Sequence, residues 1–227
     1  MVKVTNLKIK LLALVFAIIF CLQIFKLWSF YHEKVEAERV YERIKTQKVL
    51  VKVYYEALCS DSRNFIIKQL LPTYNTIENY MDVQLIPYGK AETIVTNDDY
   101  VFKCQHGEPE CQANIIHACS IHFVHDPRKQ LELISCMIKN NMYPMSILKS
   151  CAEHMKEYKA ILDCSISIEG RRLLMKYGEM TNELSPKVDF IPTITLDNDH
   201  DNQILILKNL MRQVCQRIKE PPRECVS

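Results

Sequence analysis

Val49-Leu-Val-Lys-Val-Tyr-Tyr-Glu-Ala-Leu-Cys59-Ser-Asp-Ser62 is the stretch on which the fold turns. Its first seven residues are apolar and rich in β-branched side chains, the composition of a strand buried in a sheet. After Ser62, the apolar residues Phe65, Ile66, Leu70, Tyr74 and Ile77 recur at helical spacing. Pro72 falls inside that helix, where a missing backbone donor predicts a kink. Met81-Asp-Val-Gln-Leu-Ile-Pro87 then alternates partly and reads as a second strand. Strand, helix, strand in this order predicts a right-handed crossover and a parallel pair.

Downstream, the pattern from Cys104 to about Gly178 is helical almost throughout, with breaks expected near Asn140-Asn141 and Gly170. Val188-Asp-Phe-Ile-Pro192-Thr-Ile-Thr-Leu196 returns to β character. Asp197 to Asp201 is a polar turn, and Ile204 to Ile218 closes the chain with an amphipathic helix. The order β–α–β, helical insert, β–(β)–α is the thioredoxin layout with a subdomain inserted midway. The predicted fold class is therefore α/β, thioredoxin-like over residues 49–227, with a disulfide-rich helical insertion at about 104–178.

The chain holds 10 cysteines. Cys21 lies in the N-terminal apolar segment and Cys59 opens the first helix of the domain. The rest are Cys104, Cys111, Cys119, Cys136, Cys151, Cys164, Cys215 and Cys225, an even set that fits four disulfides in an oxidising compartment. Their connectivity is open, since eight cysteines allow 105 pairings. One local pair, Cys215–Cys225, is expected because Pro221-Pro222 can turn the tail back onto the last helix. Zinc is the rival reading, with His106, His117, His122 and His125 nearby. The spacings Cys104-x6-Cys111 and Cys111-x7-Cys119 are not the short paired knuckles of zinc sites. The cysteines are read as disulfides, no metal is expected, and the histidines are taken as ordinary surface or helix residues.

Lys3, Lys8 and Lys10 precede the apolar run Leu11 to Phe25, the pattern of a secretory targeting signal. No small-x-small cleavage site follows clearly. With Leu27, Trp28 and Phe30 the run approaches the roughly 20 residues that span a bilayer. Residues 1–30 thus read as a signal peptide or a type II signal anchor. Either way the cysteine-rich part faces a lumen or the exterior. Residues 31–48 are mostly charged and read as an exposed stalk or linker. The net charge of +2 gives no reason to expect nucleic acid. No Asn-x-Ser/Thr occurs, so no N-linked glycan is expected.

Cys59 sits where a strand ends and a helix begins, a position that stabilises the thiolate, the form that attacks disulfides. Asp61 in the first turn opposes this as a like charge. Two-thiol redox enzymes carry a resolving cysteine three residues on, and here that residue is Ser62. Serine cannot resolve a disulfide, but its hydroxyl is expected to donate to a thiolate at Cys59. Ile191-Pro192 completes the candidate site. In this layout a cis proline before the third strand lies against the reactive cysteine and leaves a backbone edge for substrate, although a proline at a strand start is also ordinary at a sheet edge.

Cys104-Gln-His-Gly-Glu-Pro-Glu-Cys111-Gln-Ala-Asn114 resembles the signature CQHGxxECxxN of the gamma-interferon-inducible lysosomal thiol reductases. Tyr54-Tyr-Glu-Ala-Leu-Cys59 is similar to that family's YYESLC, and the resemblance extends over residues 49–225. It implies a thioredoxin-like domain that reduces protein disulfides in endosomes or lysosomes, with Cys59 as nucleophile. The resolving role of the family's CxxC does not carry over, because Ser62 stands there. The function expected is a monothiol oxidoreductase acting on disulfide-containing proteins through Cys59, with Ile191 and Pro192 contacting substrate. No cofactor is expected beyond a small external thiol such as glutathione or cysteine. The alternative is a non-catalytic protein that holds disulfide-containing clients. The lumen of the secretory pathway, the endosome or lysosome, or the exterior is the expected location, with membrane contact only through an N-terminal anchor.

Overall fold

The computed structural model describes residues 2–45, 48–97 and 99–226. Thr46 and Gln47, the end of the charged stalk, lie outside the described residues. The chain divides into two compact units, residues 1–47 and 48–227. The first contains one helix, α1 (Val2–Lys45), with no break between the apolar run and the charged stretch. Its segment Leu14–Arg39 is long and apolar enough to cross a membrane, a test that a signal sequence near an N-terminus also passes.

The second unit is built on a three-stranded sheet, β1 (Val49–Tyr55), β2 (Met81–Pro87) and β5 (Thr193–Leu196), in the order β2-β1-β5. β1 pairs parallel with β2, Val49 opposite Met81 through Tyr55 opposite Pro87. β5 runs antiparallel on the other side, Val51 opposite Leu196 through Tyr54 opposite Thr193. Val51, Val53, Tyr55, Leu85, Ile194 and Leu196 are buried, which is why the central strand reads as an apolar run.

Between β1 and β2, helix α2 (Ser60–Phe65), a π-helical turn at Ile66–Leu70 and helix α3 (Leu71–Ile77) follow without interruption. The proline sits in the first turn of α3, where its missing donor costs least. The expected kink is thus absorbed by the wider turn just before it. A hairpin of β3 (Glu92–Val95) and β4 (Tyr100–Lys103), which sequence reading did not anticipate, leads into the insertion.

The insertion holds α4 (Glu108–Phe123), α5 (Pro127–Met137), α6 (Pro144–Ala152), α7 (Tyr158–Ser165) and α8 (Ile168–Asn182). The break at Asn140-Asn141 is present. The break expected near Gly170 is also present, but it falls between α7 and α8, just before the glycine. Gly170 lies inside α8, where a Cβ would stand 2.5 Å from the Cys164 carbonyl oxygen and 3.1 Å from Cys119 Sγ. This glycine serves close helix packing, and the chain breaks instead before Ser167, which caps α8 by accepting from Glu169 N–H.

The β character expected from Val188 begins only at Thr193, after the cis Ile191–Pro192 bond. A further strand is reduced to a single bridge between Leu196 and Asp199. The closing helix is two helices, α9 (Gln203–Lys208) and α10 (Leu210–Cys215). Asn209 separates them and caps α10, its side chain accepting from Arg212 N–H at 3.0 Å. The eight cysteines form four disulfides: Cys104–Cys111, Cys119–Cys164, Cys136–Cys151 and Cys215–Cys225. The last is the local pair expected from the sequence.

Candidate active site

β1 ends at Tyr55, and Glu56, Ala57 and Leu58 carry the chain to Cys59, the N-cap of α2, with extended backbone (φ −64°, ψ 125°). The Cys59 sulfur accepts from the backbone N–H of Ser62 at 3.4 Å. Its thiol points at the carbonyl oxygen of Ile191, 3.7 Å away, and the Ile191–Pro192 bond is cis. Residues 132 positions apart are thereby brought together at one end of the sheet. Cys59 is partly exposed, and among the described residues only it and Cys21 are free.

Ser62 behaves differently from the sequence expectation. Its side chain is fully buried, and its Oγ accepts from the backbone N–H of Glu56 at 3.3 Å. The donor to the sulfur is therefore main chain, which any residue except proline supplies at this position. The physical reason is that Cβ bonds in a helix tilt toward its N-terminus, which turns a first-turn side chain back over the preceding loop.

The loop before Cys59 is held by one face of α4. Glu110, Asn114 and His117 follow at helical spacing and are each wholly buried. Asn114 Oδ1 accepts from Ala57 N–H at 2.9 Å. His117 Nδ1 lies 3.0 Å from the Tyr55 hydroxyl. Asn141, on the loop between α5 and α6, donates from Nδ2 to the Ala57 carbonyl at 3.0 Å and to His117 Nε2 at 3.2 Å. Nε2 must then be the accepting nitrogen, which leaves the ring proton on Nδ1, facing Tyr55. Burial pushes the His117 pKa down to about 3, so the ring is neutral. The same burial holds the Tyr55 phenol well above its ordinary value.

At the other end of α4, Glu56, His106 and Glu110 meet. Glu110 Oε1 accepts from His106 N–H at 3.1 Å, and Oε2 lies 2.6 Å from His106 Nδ1. Glu56 Oε1 accepts from Lys90 N–H at 2.8 Å, and its Oε2 lies 3.5 Å from the same imidazole nitrogen. Both carboxylates are buried while the imidazole side chain is 40% exposed. Burial pushes the Glu56 carboxyl up, opposed by the Lys90 hydrogen bond and reinforced by Glu110. Gly89, at φ +61°, makes room for this arrangement, since a Cβ there would stand 2.1 Å from Glu56 Cγ.

His106 and His117 are thus not the ordinary surface or helix residues expected. A signal was present in the sequence. Glu110, Asn114 and His117 occupy i, i+4 and i+7, the stripe an amphipathic helix normally makes apolar. Beside Cys59, a groove of about 400 Å³ is lined by Asp61, Asn64, Phe65, Phe190, Ile191 and Pro192 among others. Phe190 is 37% exposed there. The groove joins the first turn of α2 to the cis-proline segment.

The family model described as gamma interferon inducible lysosomal thiol reductase matches residues 50–155. A gamma-interferon-inducible lysosomal thiol reductase-like protein of Anopheles gambiae is 32% identical over 197 residues, covering 79% of this chain and 80% of that protein. The gamma-interferon-inducible lysosomal thiol reductase of Carassius auratus is 31% identical over 192 residues, 81% of this chain and 74% of that protein. Among solved structures, Chlamydia trachomatis DsbA superposes with a TM-score of 0.51 at 14% identity, over 76% of this chain and 89% of that one. That likeness agrees with the thioredoxin-like fold read from the order of elements.

Proposed function

The chain belongs to the gamma interferon inducible lysosomal thiol reductase family, and from that premise we propose that it reduces protein disulfides as a monothiol, through Cys59. Thiol–disulfide oxidoreduction is the activity of the family. The assignment to a single thiol rests on one observation: Cys59 is the one free cysteine described in the 48–227 unit, at 3.7 Å from the Ile191 carbonyl, with a serine at the resolving position.

Cys59 sulfur, as thiolate, attacks one sulfur of a client disulfide, and the other sulfur leaves as a thiolate that takes a proton from solvent. The main-chain N–H of Ser62 donates to the Cys59 sulfur, and the Ile191–Pro192 segment aligns the client backbone in the adjoining groove. Ser62 carries no thiol, so a small external thiol such as glutathione or cysteine attacks the Cys59 side of the mixed disulfide. The client departs fully reduced. A second small thiol then frees Cys59, and the net change is one client disulfide reduced for one small-thiol disulfide formed. The oxidising lumen that four structural disulfides need is consistent with lysosomal or secreted placement. We further read α1 as the segment that directs the chain there, as a signal or as a type II anchor.

The test is insulin reduction by the full chain across a range of glutathione concentrations, with non-reducing gels run in parallel. Turnover should rise with glutathione, and client adducts on Cys59 should accumulate when glutathione is scarce. Activity equal to that of Cys59→Ala at every glutathione concentration would overturn the reading.

A further inference from the structure

We propose that Glu56, His106 and Glu110 form a binding site for one divalent transition-metal cation of the zinc class, separate from the reactive thiol. One ligand atom from each of the three residues lies within 4.8 Å of the others, and His106 Nδ1 stands 2.6 Å from Glu110 Oε2 and 3.5 Å from Glu56 Oε2. Two ligands held about 2.0–2.1 Å from one tetrahedral ion stand about 3.3 Å apart, so the cluster needs only small adjustments to close on a cation.

The hydrogen bonding of the cluster points the same way. Each carboxylate has its outer oxygen fixed by a backbone N–H, Lys90 for Glu56 and His106 for Glu110. Such bonds orient metal-binding carboxylates from behind. The inner oxygens converge on a single imidazole nitrogen, which can carry one proton. That proton serves Glu110, and Glu56 Oε2 is buried with no hydrogen-bond partner. An orphaned carboxylate oxygen aimed into a polar cluster calls for a positive occupant. A divalent cation meets both oxygens at once, displacing the Nδ1 proton to solvent. An imidazole with two carboxylates suits zinc and its neighbours better than calcium or magnesium, which favour all-oxygen sets. The partly exposed ring leaves a way in from solvent.

The inference does not rest on the reductase reading, since none of these atoms takes part in exchange. Its expected consequence is local: the cation ties Glu56, whose N–H donates to Ser62 Oγ, to α4 and so stiffens the loop before Cys59.

The test loads the full chain, in detergent and carrying Cys21→Ala and Cys59→Ala to remove both free thiols, with zinc sulfate at pH 7. Metal content after desalting is measured by mass spectrometry, and affinity by competition with a chromophoric chelator. One zinc per chain is expected. His106→Gln and Glu56→Gln should each weaken binding on the order of 10–100-fold or more, while His154→Gln, in the exposed turn after α6, leaves it unchanged. Glu56→Gln keeps an oxygen for Lys90 N–H, and His106→Gln alters a partly exposed ring, so at least one variant should fold with its disulfides intact. Absence of stoichiometric zinc, or affinity unmoved by both substitutions, overturns the proposal.

Discussion

Tyr55 and Glu56 are consecutive residues, and each meets a histidine presented by the segment His106–His117. At Tyr55 the meeting is closed. His117 is fully buried, both ring nitrogens are partnered, and Asn141 completes the set by holding the Ala57 carbonyl. At Glu56 it is open, with a half-exposed ring, two buried carboxylates and one oxygen without a donor. Burying polar groups is costly in either place, but a completed network repays the cost in shape and an incomplete one leaves a position to fill. One end of α4 is built to hold the loop before Cys59, and the other to accept something.

The strongest way to break this contrast is to truncate the two rings in turn. His117→Ala should cost about 3–5 kcal/mol, by leaving a cavity and stranding the Tyr55 hydroxyl and an Asn141 N–H. His106→Ala should cost less, about 1–3 kcal/mol, because it strands the buried Glu110 Oε2 but removes a partly exposed ring and leaves no enclosed cavity. Urea unfolding measures both, and equal losses would erase the distinction.

Acid supplies the next largest effect. His117 is held near pKa 3 in the folded chain and returns to about 6.5 when unfolded. Between those values the unfolded chain binds more protons, so stability falls as pH drops from about 6.5 toward 3. The loss from His117 should reach about 2 kcal/mol by pH 5. Glu56 works in the opposite sense: its raised carboxyl takes up a proton more readily when folded, so its share of stability grows as pH falls. Denaturant midpoints at pH 7 and pH 5 should therefore separate in the native chain and draw together in His117→Gln, which cannot charge.

Asn114→Ala should cost about 1–3 kcal/mol by stranding Ala57 N–H, and should loosen the approach to Cys59. Hydrogen exchange at Ala57, compared with that at Lys90, reports which end of the helix has given way. The smallest stability change is expected from Ser62→Cys, about 1 kcal/mol, because sulfur is a poorer acceptor for Glu56 N–H. Its chemical effect is distinct. A thiol at position 62 attacks the Cys59–client bond intramolecularly, so dependence on glutathione and trapped adducts should both fall. Unchanged trapping would mean that position 62 does not face the mixed disulfide.

Much of this was legible in the chain before its structure. The β-branched run to Tyr55, the helical spacing after Ser62 and the proline at 192 are local signals, and each lies where the thioredoxin order requires. Gly170 marked a break only approximately, because the chain turns just before it and the glycine itself admits the Cys119–Cys164 bridge between helices. Whether a glycine marks an end or a contact depends on what packs against it, and no spacing rule carries that. Ser62 was read by its side chain, while the bond to Cys59 comes from its main chain. The roles of His106 and His117 needed partners far back in the chain, Glu56 just past the end of β1 and Tyr55 at its last residue, so only the polar stripe on α4 hinted at them.

A molecule that cleaves disulfides for a living carries four of its own, and must be immune to itself. Cys119 and Cys164 are almost wholly inaccessible, and α8 runs so close over them that Gly170 has no room for a side chain. A second copy of the enzyme, or any small thiol, would have to prise that helix away before reaching the sulfurs. The missing methyl at Gly170 is thus a form of armour, sealing the bridge that joins α4 to α7 against thiol–disulfide exchange, the reaction of its own family.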